Sequence, residues 1–317
     1  MRHADSCQQP RRLPMKGVSW VLLLLLLCGC SDRNPLLPRS GGRPFEVLIA
    51  GDRDSAVYQE LDADVEGLPQ SEPSFDISSI QGEDIGQALR LSHLIVKVSI
   101  NPQVFTATRI RYAKNVDAEP QMVVYVGSPS EQALKADMPR LGPQLRMLLN
   151  RAELNNQILR LREKHNIKME EEIRRLFGID LWIPVDMTSS KKGKDFLWLS
   201  NNAPTGMQNI CIYLGTNRDS VMKANIKGET DAMYMATVHE SVRRTREKGK
   251  SGIRLITRGL WEMEGDAMGG PFISHTLDDS IRHREITVEG FVYAPEMKKR
   301  NLMRQLEAVL YTFKIKE

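Results

Sequence analysis

The sequence contains little cysteine. Only four of its 317 residues are cysteine, and three of these lie within the first 30 residues. The fourth, Cys211, lies in the apolar stretch "NICIYLG", where a free cysteine packs as a small hydrophobic side chain. Because a disulfide within the folded part would need a second cysteine there, we expect a core that is stable without cross-links.

The sequence also lacks a hydrophobic run long enough to span a membrane. The longest apolar block, Val18 to Leu27, is shorter than the roughly 20 residues that a transmembrane helix needs. It follows three basic residues, Arg11, Arg12 and Lys16, which is typical of a signal peptide. We therefore interpret residues 1–29 as a signal peptide, and this holds whether Met1 or Met15 is the start.

The apolar block ends in "LCGC", Leu27 to Cys30, which resembles the bacterial lipobox of leucine, two small residues and cysteine. Only a cysteine serves at its last position, because a thioether to diacylglycerol must form before cleavage exposes the amine for a further acyl chain. Two or three such chains hold a protein stably on a membrane. We predict that Cys30 is the lipid-attachment site.

The residues after Cys30 carry information on location. Ser31 stands where enterobacterial sorting rules place aspartate in proteins kept at the inner membrane, and by that resemblance we expect the outer membrane. In some other Gram-negative hosts, the lipoproteins that reach the cell surface resemble one another in an acidic run after the cysteine. Here Asp32 is followed by Arg33, which favours the periplasmic face over the cell surface.

The chain has no strong excess of either charge. It contains 44 basic and 40 acidic residues, and removal of residues 1–29 leaves 40 basic and 39 acidic ones. Such a balanced chain has no general electrostatic attraction for nucleic acid, so we expect no nucleic-acid partner. The 288 remaining residues are enough for one large domain or two ordinary ones.

Two short stretches resemble catalytic motifs without completing them. "GDRDS", Gly51 to Ser55, follows a predicted strand but lacks the lysine of a phosphate loop, so helix capping by Asp54 or Ser55 is favoured over an Asp-x-Asp metal pair. His239-Glu240 begins like a zinc-protease motif on a helix predicted over 231–248, but Arg243 replaces the second histidine. We predict no metal site and no cofactor.

The first half of the mature chain predicts strands followed by helices. Residues 30–44 are rich in Pro, Gly and Ser, which indicates a flexible tether. "FEVLIAG" begins a series of short apolar runs bounded by turn residues, which are typical of strands. Apolar residues then recur at the 3.6 period through Leu159, with Pro143 fitting a helix start, and a second helix is predicted over 168–177, ending at Gly178.

The second half begins with three strand-like runs, followed by helices predicted over 220–226 and 231–248 and by an antiparallel meander. "GGP", Gly269 to Pro271, is interpreted as a turn of that meander. A final amphipathic helix follows Pro295. We therefore predict an α+β fold with antiparallel sheets flanked by helices, in two halves, 45–165 and 166–317.

Two sequence echoes suggest that the halves are related. "LIAGDRDSAV" resembles "YLGTNRDSVM", and "VVYVGSPSE" resembles "GFVYAPEMK". Arg53 and Arg218 are 165 positions apart, and Pro129 and Pro295 are 166 apart. Equal offsets are what a tandem duplication predicts, so we expect two related half-domains.

Three longer stretches resemble a known family. "RDSVMKANIKG", "RGLWEMEGDAMGGPFISH" and "VEGFVYAPEMKKRNLMRQLEAVLYTFK" are similar to an uncharacterised family of lipoproteins from Bacteroidetes-type Gram-negative envelopes, domain of unknown function 4837. By this resemblance, which we take to extend over nearly all of the mature chain, the protein is an envelope lipoprotein. The resemblance supplies no activity.

Ser274 and His275 are the most plausible catalytic pair in the sequence, as nucleophile and base of a hydrolase. On a strand, however, adjacent side chains point to opposite faces, so each would need partners from elsewhere in the chain. The basic run Arg243 to Lys250 is an alternative binding site, for anionic lipid, although cations also complement the end of the predicted helix. "KKGK", Lys191 to Lys194, is interpreted as a hairpin tip.

Aromatic residues on the predicted strands either pack in the core or line a ligand groove between the two halves: Trp182, Trp198, Tyr213, Trp261, Phe291 and Tyr293. Taken together, the sequence favours a lipid-anchored envelope protein that binds a protein or glycan partner without catalysis. A hydrolase with a site around Ser274 and His275 is the alternative.

Overall fold

In the described part of the chain, short apolar segments joined by turn residues form two large sheets and one small two-stranded ladder. The computed structural model describes residues 37–82, 84–249 and 252–316. The predicted signal peptide, Cys30 and residues 31–36 of the predicted tether lie outside the described residues. Pro38–Glu317 is one compact unit.

The first domain contains a five-stranded sheet whose order is β2-β1-β3-β5-β4. Strands β1, β2, β3 and β5 run parallel, and β4 pairs antiparallel with β5 at the edge. The elements of this domain are, in chain order, β1 (Glu46–Ala50), α1 (Ala56–Leu61), β2 (Asp76–Ile80), α2 (Gly86–Leu89), β3 (Leu94–Ile100), β4 (Arg109–Lys114), β5 (Met122–Ser128) and α3 (Glu131–Glu163).

Helix α3 is the longest element of the domain. It was predicted to begin at Pro143, but it begins at Glu131, where the Ser130 hydroxyl accepts a hydrogen bond from the Ala133 N–H at 3.0 Å. Pro139 and Pro143 therefore lie inside the helix. Its apolar face packs with α1 against one side of the sheet, around residues such as Leu145 and Leu149.

The end of the predicted tether is part of this domain. The backbone N–H groups of Ser40 and Gly41 donate to the carbonyls of Glu119 and Leu91 at 3.1 and 2.8 Å. Backbone groups at the sheet margin thus pair with the backbone of Pro38, Ser40 and Gly41, so this end of the predicted tether packs on the domain.

The second domain contains a seven-stranded antiparallel sheet whose order is β10-β11-β12-β13-β9-β8-β7. Its elements are, in chain order, α4 (Ile167–Phe177), β6 (Ile179–Asp180), β7 (Ser189–Gly193), β8 (Phe196–Ser200), β9 (Met207–Leu214), α5 (Arg218–Asn225), β10 (Met235–Gly249), β11 (Gly252–Met263), β12 (Gly269–Asp279), β13 (Arg284–Tyr293), α6 (Arg300–Tyr311) and β14 (Lys314–Ile315). Strands β6 and β14 pair with each other in a separate small ladder.

The two faces of this large sheet differ in the helices that pack on them. One face packs against α4 and α6, and its core includes Ile173, Ile210, Val288 and Leu310. The other face carries an aromatic cluster around Trp261, Phe272 and Phe291, and among the described helices only the short helix α5 packs on it. The part of this face that α5 leaves uncovered is therefore open to solvent.

The prediction of a helix over 231–248 is wrong, because Met235–Gly249 forms strand β10. Most of its side chains are exposed, so no apolar stripe distinguished a helix from a strand at this position. Valine and threonine recur through the segment, and β-branched residues favour strands.

The predicted turn at Gly269 to Pro271 is also wrong. These residues begin β12, and the turn lies earlier, at Gly265, which has a positive φ of 80°. Gly270 serves a different purpose. A Cβ on Gly270 would lie 2.1 Å from the Val292 carbonyl oxygen, so glycine allows β12 and β13 to approach at this point.

The α+β fold class is confirmed, and the echoes between the halves are confined to local structure. Gly51 and Gly215 each follow a strand with a positive φ, 81° and 83°, and each precedes a short helix. The strands themselves pair differently, since the first sheet is mainly parallel and the second is entirely antiparallel. The two halves thus share a strand-to-helix turn and do not share one topology.

The two domains meet at the beginning of α6. Glu72 of the first domain is buried, and its carboxylate accepts from the backbone N–H groups of Lys299 and Arg300 at 2.6 and 2.9 Å. The Arg300 guanidinium in turn contacts Asp76 at 2.8 Å. No helix in the described part of the chain is both long and apolar enough to cross a bilayer.

Candidate functional site

Ser274 and His275 lie side by side on β12 and point to opposite faces of the sheet. His275 faces the helix side, where it is fully buried, and its Nδ1 accepts from Arg254 Nη1 at 2.7 Å. Burial, together with the nearby Arg254 cation, holds the pKa of His275 well below its ordinary value. The structure does not bring these two side chains together as nucleophile and base.

Ser274 faces the open side of the sheet and lines a cavity of about 380 Å³. The walls come from the polar residues of β10 to β13 and from the loop before α5. The other side chains around the cavity are those of Tyr213, Thr216, Asn217, Arg218, Asp219, Thr237, His239, Val242, Arg244, Leu255, Thr257, Phe272, Thr276, Glu285 and Thr287.

A buried ion pair forms the floor of this cavity. Arg218 Nη2 lies 2.9 Å from Oε1 of Glu289, and the guanidinium lies 4.0 Å above the centre of the Phe272 ring. The Tyr213 hydroxyl donates to Glu289 Oε2 at 3.1 Å, and burial raises the pKa of this tyrosine well above its ordinary value. With both ends of the pair held by several hydrogen bonds, the floor is rigid.

Helix α5 places Arg218 at this position. Asn217 caps the helix, with its side-chain oxygen accepting from the Ser220 N–H at 3.2 Å, so Arg218 and Asp219 occupy the first turn. Asp219 accepts a hydrogen bond from the Thr237 hydroxyl and lies 3.2 Å from His239 Nε2. His239 itself is exposed on β10.

Hydroxyl groups dominate the remaining surface of the cavity. Thr276 and Thr287 bond to each other across the strands at 2.8 Å. The hydroxyls of Thr216, Thr257 and Ser274 have no hydrogen-bond partner among the described residues, so they remain free to donate to a ligand or accept from it.

The charges around the cavity balance. Arg218 and Arg244 are matched by Asp219 and Glu285 on the lining. Within residues 37–82, 84–249 and 252–316, no group of three or more His, Cys, Asp or Glu side chains is placed to hold a metal ion. No hydrogen bond joins Ser274 to His239 in that same part of the chain.

The other residues that the sequence analysis considered as possible site residues pack or form hydrogen bonds within the fold. Cys211 is buried in the aromatic cluster beside Phe272, and burial raises its thiol pKa well above the ordinary value, which makes it unreactive. In "GDRDS", Ser55 occupies the N-cap position of α1, as the sequence favoured, but its side chain makes no capping hydrogen bond. Instead Asp52 Oδ2 accepts from the Tyr58 N–H at 2.8 Å. Trp198 and Trp261 both pack against Phe291.

The two basic stretches lie on hairpins. "KKGK" lies at the tip between β7 and β8, as predicted. The run from Arg243 lies on the exposed end of β10, where Glu247 accepts from the Tyr311 hydroxyl at 3.1 Å. Lys250 lies outside the described residues.

Sequence reasoning missed the residues that build the cavity floor, Arg218 and Glu289. A signal for Glu289 was present, because it is the acidic residue within an otherwise apolar part of "REITVEGFVYA". A charge at an inward position of a strand indicates a buried partner. Its partner was not identifiable, since Arg218 lies 71 positions earlier in the chain.

Comparison with protein families finds two matches. Residues 166–312 match a family described as a domain of unknown function, DUF4837, and residues 40–162 match a second one, DUF8532. The similarity to the first family therefore does not extend over nearly all of the mature chain, as the sequence had suggested. No curated protein matches. The chain thus contains two domains, each similar to an uncharacterised family.

Proposed function

We propose that this protein is a lipid-anchored, non-catalytic binding factor of the Gram-negative cell envelope, and that a hydroxyl-bearing ligand such as an envelope glycan occupies the cavity beside Ser274. The observation that carries the proposal is the cavity itself, which combines a rigid floor, balanced charge and free hydroxyl groups. In this proposal the partner of the protein is a glycan, and the protein contacts the membrane through acylated Cys30.

The cavity chemistry supports a neutral polar ligand. A sugar presents several hydroxyls that both donate and accept, and Thr216, Thr257 and Ser274 offer groups of the same kind. The apolar side chains of Leu255 and Phe272 lie beside them, as is common where a sugar ring packs its C–H face. A highly charged ligand gains little here, because the lining contains two acidic side chains, Asp219 and Glu285, beside its two arginines.

The anchor is supported by the sequence at Leu27 to Cys30. Under this proposal the protein faces the periplasm from the outer membrane, held by the acyl chains on Cys30. Metabolic labelling with an alkyne fatty acid tests the anchor. We expect labelling of the wild type and of Cys28→Ala, and none of Cys30→Ala. Equal labelling of the two variants would contradict the assignment.

Titration calorimetry with chitobiose, together with an array of bacterial envelope glycans, tests the ligand class. Thr257→Val preserves the shape of the side chain and removes its hydroxyl, and Ser274→Ala does the same for serine. Each lost hydrogen bond is worth about 1 kcal/mol, so each variant should weaken binding about fivefold.

Thr245→Val is the matched control, because Thr245 is exposed on the same hairpin and does not line the cavity. It should bind as the wild type does. The glycan proposal is wrong if no glycan binds, or if the control weakens binding as much as Thr257→Val. Glycan fragments released by the wild type and abolished by Ser274→Ala would favour the hydrolase instead.

A further inference from the structure

The first domain carries a second cavity, of about 700 Å³, on the face of its sheet that points away from α3. Ile85, the residue before α2, packs on this face in a cluster with Leu48, Ile95 and Val123. Beyond that cluster, no described helix covers β4 or the remaining parts of β3 and β5. The cavity occupies this uncovered part and is closed at one end by the loop between β3 and β4.

Three cations line this cavity. Lys97 and Arg111 both pair in register with Tyr125, one from each side, so the three side chains form a row across β3, β5 and β4. Arg109 lies two residues before Arg111 and shares its face. None of the three forms an ion pair within residues 37–82, 84–249 and 252–316, and no acidic side chain lines the cavity.

This arrangement is unfavourable without an anion. Lys97 and Arg111 lie on one face of the sheet with β5 between them, and Arg109 is next to Arg111 on that face, so three like charges repel one another around one cavity. The cavity beside Ser274 differs in this respect, because its lining contains acidic as well as basic side chains. A ligand with negative charge would gain from all three cations here.

The remaining wall is apolar and shaped by a glycine. The ring of Phe105 lies directly over Gly127, and a Cβ on Gly127 would lie 2.3 Å from that ring. Glycine therefore allows Phe105 to close the end of the cavity. Val104, which is 66% exposed, extends this apolar wall toward solvent.

We propose that this cavity binds a phosphate ester that carries an apolar or aromatic group. Two neighbouring guanidinium groups match the oxygens of a phosphate, to which arginine donates bidentate hydrogen bonds. The apolar part of the ligand packs between Tyr125 and Phe105. The volume lies within the range of about 300–1,000 Å³ that is usual for small-molecule sites. The ligand is either a soluble ester or the headgroup of a lipid.

Titration calorimetry of the purified full chain with phenyl phosphate, inorganic phosphate and phenol tests this site. We expect phenyl phosphate to bind more tightly than inorganic phosphate, and phenol not to bind. Arg109→Gln and Arg111→Gln should each weaken the binding of phenyl phosphate at least tenfold. Higher salt should weaken its binding further. Both residues are exposed, so the variants should keep the melting temperature of the wild type.

Lys114→Gln is the matched control. Lys114 lies on the same strand and is exposed, but it points to the other face of the sheet and does not line this cavity. The proposal is overturned if phenyl phosphate does not bind, or if Lys114→Gln weakens the binding of phenyl phosphate as much as Arg111→Gln does.

Sedimentation with vesicles distinguishes the two sources of the ligand. Binding to phosphatidylglycerol vesicles but not to phosphatidylcholine vesicles, lost in Arg111→Gln, would assign the site to lipid headgroups. Binding of phenyl phosphate without vesicle binding would assign it to soluble esters. Vesicle binding that persists in both arginine variants would overturn a headgroup site in this cavity. These results do not depend on the glycan site, because its residues lie in the other domain.

Discussion

Glu72 of the first domain caps a helix of the second domain at Arg300. Its Oε2 accepts from the Arg300 backbone N–H at 2.9 Å, and its Oε1 accepts from the Lys299 N–H at 2.6 Å. The helix has no side-chain cap of its own, since Lys299 occupies the cap position. A carboxylate at a helix N-terminus satisfies free N–H groups and complements the positive end of the dipole. This contact joins the folding of the two domains.

Glu72→Gln should therefore lower the free energy of unfolding by about 1–2 kcal/mol, because a charged cap is replaced by a neutral one in a buried site. Urea unfolding followed by circular dichroism measures this change. We also expect the single transition of the wild type to broaden, since the link between the domains is weakened.

Glu66→Gln is the control for this contact, because Glu66 is exposed in the same loop. Glu66→Gln should leave the midpoint of urea unfolding unchanged. Equal stability of Glu72→Gln and wild type would show that the cap contributes nothing to domain coupling.

His93 should make the protein more stable in mild acid. Its Nε2 lies 3.0 Å from Glu153 Oε2, and both side chains are buried. Burial alone would lower the pKa of His93, but Glu153 and the Gly41 carbonyl outweigh it and raise that pKa above 6.5. This stabilisation is complete below pH 6.5 and is lost as the pH rises through the folded-state pKa.

His93→Gln should accordingly cost about 3 kcal/mol at pH 6, as expected when one partner of a buried ion pair is removed, and less at pH 9. Chemical unfolding at the two pH values measures the difference. A cost that is independent of pH would mean that folding leaves the pKa of His93 unchanged, and would contradict the prediction.

His275 should have the opposite effect on acid stability. The folded protein holds this histidine neutral against Arg254, whereas the unfolded chain protonates it below about pH 6.5. As the pH decreases below about 6.5, the free energy of unfolding should therefore fall, by up to about 1.4 kcal/mol for each pH unit from this residue alone. His275→Gln should lose less stability than the wild type between pH 7 and pH 5. Parallel pH profiles for the two proteins would refute this prediction.

Gly270→Ala should destabilise the second domain by about 2 kcal/mol or more. The new Cβ would lie 2.1 Å from the carbonyl oxygen of Val292, and a backbone atom of a paired strand cannot move aside cheaply. Gly249→Ala is the comparison, because the nearest atom to its Cβ is the Gly252 oxygen at 3.8 Å. Thermal unfolding should separate the two variants by several degrees. Equal melting temperatures would mean that the strands separate locally without cost.

Prediction from sequence succeeded where apolar residues carry a clear period. Helix α4 ends at Gly178, which adopts the left-handed conformation that glycine permits, and α6 follows its amphipathic pattern. The exposed half of β10 has no apolar period, and its charges at i and i+4 fit a helix equally well. The wrong prediction there follows from that ambiguity.

The candidate site was predicted only in part. Ser274 was identified and lines the cavity, and the alternation of side chains on a strand correctly separated it from His275. Arg218 and Glu289 were missed because their pairing depends on which strands become neighbours. Tertiary pairing of β9 with β13 brings Tyr213 to the same carboxylate, and no local pattern specifies that order.

Strand β10 forms one edge of the large sheet, and a long free edge can recruit the same edge of another molecule into a continuous sheet. The register of β10 with β11 shifts between Val238 and Arg243, which bends the strand away from a flat edge. Beyond that bend, Arg243, Arg244 and Arg246 bring positive charge to both faces. Two copies that approach edge to edge through β10 therefore meet like charges on a bent strand, which disfavours their pairing into one continuous sheet.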